Sequence, residues 1–150
     1  MHTTRVDHLS AVTHARLATV TLQTPLLEAA QQLSQTHIGL VVVCDTDGVI
    51  AGVVSKGDIV RQIGHCQGNT CHTLVSELMT TKVIGCEPSD LLSDVLTVMQ
   101  EHGLVHVPVL DAHQRPLGVV NARDALRALV AEGDYEQSLL LDYVMGVGYH

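Results

Sequence analysis

The sequence predicts an α/β (α+β) fold: two β-α-β-β-α units related by pseudo-twofold symmetry, followed by a C-terminal helix. Three observations carry that expectation. Gly52-Val53-Val54-Ser55-Lys56-Gly57-Asp58 reads against Gly118-Val119-Val120-Asn121-Ala122-Arg123-Asp124 at a constant offset of 66 residues, and the match runs back through Asp45 and Asp111, Val43 and Val109, Ile38 and Leu104, and Leu33 and Met99. The lead-ins correspond too, Thr24-Pro25-Leu26-Leu27 against Glu87-Pro88-Ser89-Asp90, but at an offset of 63, so one copy carries a three-residue length change before its first helix. Each copy also shows the same succession of strand and helix periodicities. A period near 66 is longer than that of most solenoids and two copies are too few for an array, so any ligand site should come in two related versions.

In the first copy, residues 18–22 form a short apolar strand, and residues 26–36 are helical because Leu26, Ala29, Ala30 and Leu33 recur at helical spacing. Residues 40–44 are a β-branched run, Asp45-Thr46-Asp47-Gly48 is a turn, residues 49–55 are a second strand, and residues 56–63 close the unit as a helix. The second copy repeats the order with a strand at 82–86, a helix at 91–102, strands at 104–110 and 116–121 around the turn at 111–115, and a helix at 122–131. The expected division is a first repeat at 5–64, a polar linker at 65–72, a second repeat at 73–131, and a terminal helix and tail at 132–150. Asp134 with Gln137 has capping-box spacing and Gly146 can end that helix, whose apolar residues fall on several faces and so call for burial from more than one side, with a second copy of the chain expected on the other side.

Composition narrows the function. With 150 residues and 46% apolar content the chain can bury a core, and the net charge of -8 with no Phe or Trp argues against nucleic acid or an anionic membrane surface as partner. No stretch approaches the roughly 18 apolar residues of a membrane span, and the polar start does not read as a secretory signal, so the expected compartment is the cytoplasm with free thiols. Walker A, Gly-x-Gly-x-x-Gly, Gly-x-Ser-x-Gly and His-Glu-x-x-His patterns are absent, and no enzyme is expected.

The repeated closing motif, Gly-apolar-apolar-Ser/Asn-x-x-Asp, has two physical readings. Ser55 stands where a strand enters a helix and can cap it, with Asp58 favourable in the first turn. The same carboxylate could accept two hydrogen bonds from the vicinal hydroxyls of a ribose, beside first-turn amides that attract an anion. Gly52 allows another backbone or a flat base to approach closely.

A tandem of such halves resembles a pair of cystathionine-β-synthase (CBS) domains over roughly residues 5 to 131. That resemblance implies a small stand-alone regulatory or energy-sensing module, commonly a homodimer, with an adenosine-containing ligand (AMP, ADP, ATP, NAD(H) or S-adenosylmethionine) in the clefts between the halves and a regulated enzyme or transporter as partner. It implies one cleft from Ser55 and Asp58 with Val83, Ile84, His106 and Val107, and a second from Asn121, Arg123 and Asp124 with Thr19, Leu40 and Val41. The resemblance also supplies a phosphate contact from the middle strand of the opposite half. His106 in Val105-His106-Val107-Pro108-Val109 matches one of the family's two basic positions while Val105 departs from the other, and Gly39-Leu40-Val41-Val42-Val43 matches neither, so the first cleft is the better phosphate site.

The linker offers an alternative. His65-Cys66-x4-Cys71-His72 lies within zinc-ligand spacings, so a ligand-free interaction module driven by metal or thiol chemistry competes with nucleotide sensing. A solvated linker with no metal is the preferred reading of that segment.

Overall fold

The computed structural model describes residues 3–65 and 72–132. After a single 3-10 turn at Val6–Leu9 come α1 (Ser10–Ala15), β1 (Thr19–Thr21), α2 (Leu26–Leu33), β2 (Leu40–Cys44), β3 (Ile50–Ser55) and α3 (Lys56–His65). The second half follows with α4 (Val75–Leu78), α5 (Leu92–His102), β4 (His106–Leu110), β5 (Pro116–Asn121) and α6 (Ala122–Glu132). Strand β1 runs parallel to β2, which pairs antiparallel with β3, and β4 pairs antiparallel with β5 in the matching register: Val43 opposes Gly52 as Val109 opposes Gly118.

The expected strand at 82–86 shrinks to one parallel bridge between Cys86 and Val109. The reason is geometric, because this segment begins on the other sheet. Thr80 and Val53 exchange both backbone hydrogen bonds (2.9 and 3.0 Å), and the chain then crosses to the second sheet, where Cys86 N–H donates to the Pro108 carbonyl at 3.0 Å. Residues 81–85 are spent on the crossing.

Such crossing is systematic. Arg5 bridges Leu91, and Val6 N–H donates to Asp90 C=O at 3.0 Å, so the N-terminal lead-in belongs to the second half. Reciprocally, Pro25 bridges Leu74, and Val75 N–H donates to Thr24 C=O at 2.9 Å. The cores confirm the exchange: Val6 joins Leu92, Leu96, Met99, Val107 and Leu129, whereas Val75 joins Leu26, Ala29, Val41 and Val54. Glycine makes it possible, since a Cβ on Gly52 would lie 2.8 Å from the Thr80 carbonyl oxygen, and one on Gly118 would lie 2.7 Å from the Thr13 carbonyl carbon. The close approach that Gly52 permits is therefore that of another backbone.

The two sheets meet face to face. Leu40, Val42 and Cys44 from β2 bury against Val119 from β5, with Leu17, Ile50 and Val53 around them. Every residue of β2 is buried, as expected of a strand covered by helices on one side and by the other sheet on the opposite side. Arg115 of one turn donates to the Asp47 carbonyl of the other at 3.2 Å, closing the far end.

Candidate functional site

A cleft of about 180 Å³ opens between the halves, lined by Ser55 and Asp58 from one side and by Lys82, Val83, Ile84 and His106 from the other. Leu40, Val53, Thr80, Leu104 and Pro108 complete its walls. A larger hollow of about 530 Å³ lies between the N-terminal lead-in and β4–β5, bounded by residues such as Val6, Ala11, Pro88 and Leu117. It lacks the meeting of repeat motifs that marks the first.

Ser55 is the last residue of β3 and Asp58 the third residue of α3. Asp58 Oδ2 accepts from the Ser55 N–H at 2.9 Å and from its hydroxyl at 3.1 Å, while the Asp58 N–H donates back to Ser55 Oγ at 3.3 Å. Arg61, one turn on and 72% exposed, donates to Oδ1. The helix-start reading of Ser-x-x-Asp is thus realised in this conformation. A carboxylate offers about four lone-pair sites, so one acceptor position remains, and a second is freed if Arg61 swings into solvent.

His106 lines the cleft, but not as a cation. Asn121 Oδ1 is committed to capping α6, accepting from the N–H groups of Arg123 (2.9 Å) and Asp124 (3.3 Å), so its amide nitrogen faces His106 Nε2 at 3.1 Å. An acceptor Nε2 means a neutral ring protonated at Nδ1. Burial, aided by the nearby charges of Arg16 and Lys56, pushes the imidazole down to about 4 against the opposing pull of Asp124. Gly39 makes the room, since a Cβ there would lie 2.3 Å from His106 Cε1 and Nε2. A phosphate contact from His106 would therefore be made by a neutral ring. The exposed Lys82 lines this cleft, and the charge of the exposed Lys56 acts on His106 beside it.

Of the residues expected at the second cleft, Asn121 caps α6 and faces His106. Asp124 is buried and held by Arg16, with Arg127 nearby at 4.0 Å. Arg123 points to solvent, and its backbone only joins the cap. Leu40 lines the first cleft instead, and Val41 is fully buried in the core of the first half. Val107, expected in the first cleft, is likewise buried in the core of the second half.

Thr19 is exposed on β1. Val20 opposes Val43 in parallel as Cys86 opposes Val109, and the helices that follow start at Leu26 and Leu92, so the offset of 66 persists through the lead-in and no length change falls between β1 and α2. Arg16-Leu17-Ala18 therefore occupy the places of Lys82-Val83-Ile84. Carrying the offset of 66 past the helix would have found both Arg16 and Lys82 in the sequence.

Among the described residues, no group of three or more His, Cys, Asp or Glu is placed to hold a metal, and no helix is long and apolar enough to cross a membrane. Cys44 and Cys86 are free and buried, and burial first, then neighbouring carboxylates, pushes the Cys86 thiol up to about 12. Cys66, Cys71 and the terminal helix lie outside the described residues.

The model of the CBS domain matches twice, at residues 9–65 and 75–131. The chain belongs to the CBS-domain family. A putative signal-transduction protein with CBS domains from Burkholderia ambifaria is 28% identical, with a TM-score of 0.73 over 89% of this chain and 99% of that one. The fold is shared as well with CBSX2 in complex with AMP, at 21% identity and a TM-score of 0.73 over 87% of this chain and 99% of that one. Among curated proteins, the arabinose 5-phosphate isomerase GutQ of Salmonella typhi is 32% identical over 109 residues. That match takes in 73% of this chain and about a third (33%) of the isomerase.

Proposed function

We propose that this CBS pair is a regulatory module that senses an adenine nucleotide in the first cleft. The observation that carries the reading is convergence: Ser55 and Asp58 close one repeat, while Lys82, Val83, Ile84 and His106 come from the other, and all six border one cavity. Asp58 would take the ribose hydroxyls, Val83 and Ile84 would flank the base, and Lys82 with Lys56 would attract phosphate. The AMP complex of the similarly folded CBSX2 supports an adenosine ligand of this kind. A volume of about 180 Å³ is below the roughly 300–1,000 Å³ of drug-sized sites, so phosphates would project towards the lysines at the rim.

A ligand touching both halves favours the arrangement that suits it in proportion to its differential affinity, and the halves share the Leu40–Val42–Val119 interface that would relay the change. The module acts in the cytoplasm as a homodimer upon an enzyme or transporter. Titration calorimetry with AMP, ADP, ATP, NAD and S-adenosylmethionine tests the binding step. Asp58→Ala should weaken the best ligand roughly tenfold to a hundredfold, because charged hydrogen bonds are worth about 1.5–3 kcal/mol. Asp58→Asn controls for the lost helix cap, since its amide oxygen still accepts from Ser55. Unchanged affinity in both variants would reduce the motif to a helix start.

A further inference from the structure

Repetition predicts two nucleotide clefts per chain, and the structure distinguishes them by one ion pair. In the first cleft, Lys82 is exposed and Asp58 pairs with a solvent-facing arginine. Arg16 is the register equivalent of Lys82, and it lies against the register equivalent of Asp58. Its Nε donates to Asp124 Oδ2, its Nη2 donates to Oδ1 at 3.1 Å, and its Nη1 donates to the His37 carbonyl at 3.1 Å. The two side chains are only 23% and 9% exposed, so solvent screens this pair far less than the exposed Arg61.

Each carboxylate oxygen of Asp124 is therefore held by one arm of a planar, part-buried donor fork, the geometry in which arginine binds carboxylate best, whereas the outer oxygen of Asp58 is held only by a solvent-facing arginine. The floor has closed as well. Ile38, at 3% exposure, stands where the first cleft presents the partly open Leu104.

We propose that Arg16 latches the second cleft through Asp124, so that each chain carries one working nucleotide site, and that loosening this pair opens a second. The inference deepens the reading of the first cleft and rests on it for the class of ligand. Its sequence basis is one residue: Arg16 can hold Asp124 bidentately, whereas lysine, the residue at the matching place, is a single-point donor.

The experiment is titration calorimetry of the full chain with adenosine and with AMP, in wild type, Arg16→Lys, Asp58→Ala and the Arg16→Lys/Asp58→Ala double variant. Arg16→Lys keeps the charge beside buried Asp124 and so protects folding, which a melting curve verifies; Arg16→Gln is the stricter version. The wild type should bind one ligand per chain and lose affinity tenfold to a hundredfold on Asp58→Ala. Arg16→Lys should bind two, and the double variant should keep one at an affinity unaffected by the missing Asp58. Two ligands per wild-type chain, with one surviving in Asp58→Ala, would overturn the latch even if no Arg16 variant folded. A folded Arg16→Lys and Arg16→Gln that both stay at one site would overturn it too. If the wild type binds nothing but the double variant binds one, the first-cleft reading fails and the latch stands; if no variant binds, both fail.

Discussion

Acidification should weaken this fold through one imidazole. His106 sits against Gly39 and accepts from Asn121, and its folded-state value is pushed down from 6.5 to about 4. Because the folded value is depressed, the unfolded chain takes up the proton first. The stabilisation is complete above about pH 6.5 and is lost progressively as pH falls to about 4. At 1.36 kcal/mol per pH unit, that interval is worth about 3 kcal/mol, a large share of the roughly 5–15 kcal/mol that holds a domain together. The chain has ten histidines and sixteen carboxylates, so the contribution has to be isolated by difference. His106→Leu installs the residue that β2 carries at the matching place, Leu40, and removes the titrating group. Urea denaturation at pH 7, 6, 5 and 4.5 should show wild type losing about 2–3 kcal/mol more than His106→Leu over the series. Equal pH slopes, or a His106 imidazole resonance that titrates near 6.5 in the folded protein, would refute burial in the neutral form.

Two further substitutions probe the same architecture. Gly39→Ala places a methyl carbon 2.3 Å from the His106 ring, so it should cost about 1–3 kcal/mol in urea denaturation, and much of that should return in Gly39→Ala/His106→Ala. Gln114 holds φ at 63° where the first copy has Gly48 at 80°; Gln114→Gly should raise stability by a few tenths to about 1 kcal/mol, since relief of the left-handed strain outweighs the added freedom of the unfolded chain. Unchanged or lower stability in that variant would mean the turn is held at no cost.

Much of the fold was legible because periodicity and repetition spoke together. Strands 40–44 and 116–121 coincide with the observed ones, and helix α5 begins one residue later than expected, at Leu92. What escaped was short or non-local. The 3-10 turn, α1 and α4 span 4, 6 and 4 residues, too few turns to establish a hydrophobic period, and they owe their shape to the opposite half that they cover. The strand expected at 82–86 is apolar enough, but its backbone partners are divided between two sheets. At the site, Ser55, Asp58, Val83 and Ile84 meet as the resemblance implied, whereas the charge state of His106 depends on a glycine 67 positions away, which no local pattern encodes. Arg16 was hidden by the offset of 63 read from the lead-ins at 24–27 and 87–90, where the strand register and the helix starts keep 66.

The exchange of lead-ins bears on how the chain comes off the ribosome. Residues 3–65 contain all three strands of the first sheet, yet their core still lacks Val75, which is fully buried there and is translated later. Val6 made its appearance first of all and must wait for Leu92 and Leu96 before it has anything to bury against. Nascent first halves therefore carry an open seam and an idle hydrophobic end until synthesis has passed Val75 and then Leu96. A chain that stalls after one repeat would leave the place of Val75 in its core unfilled.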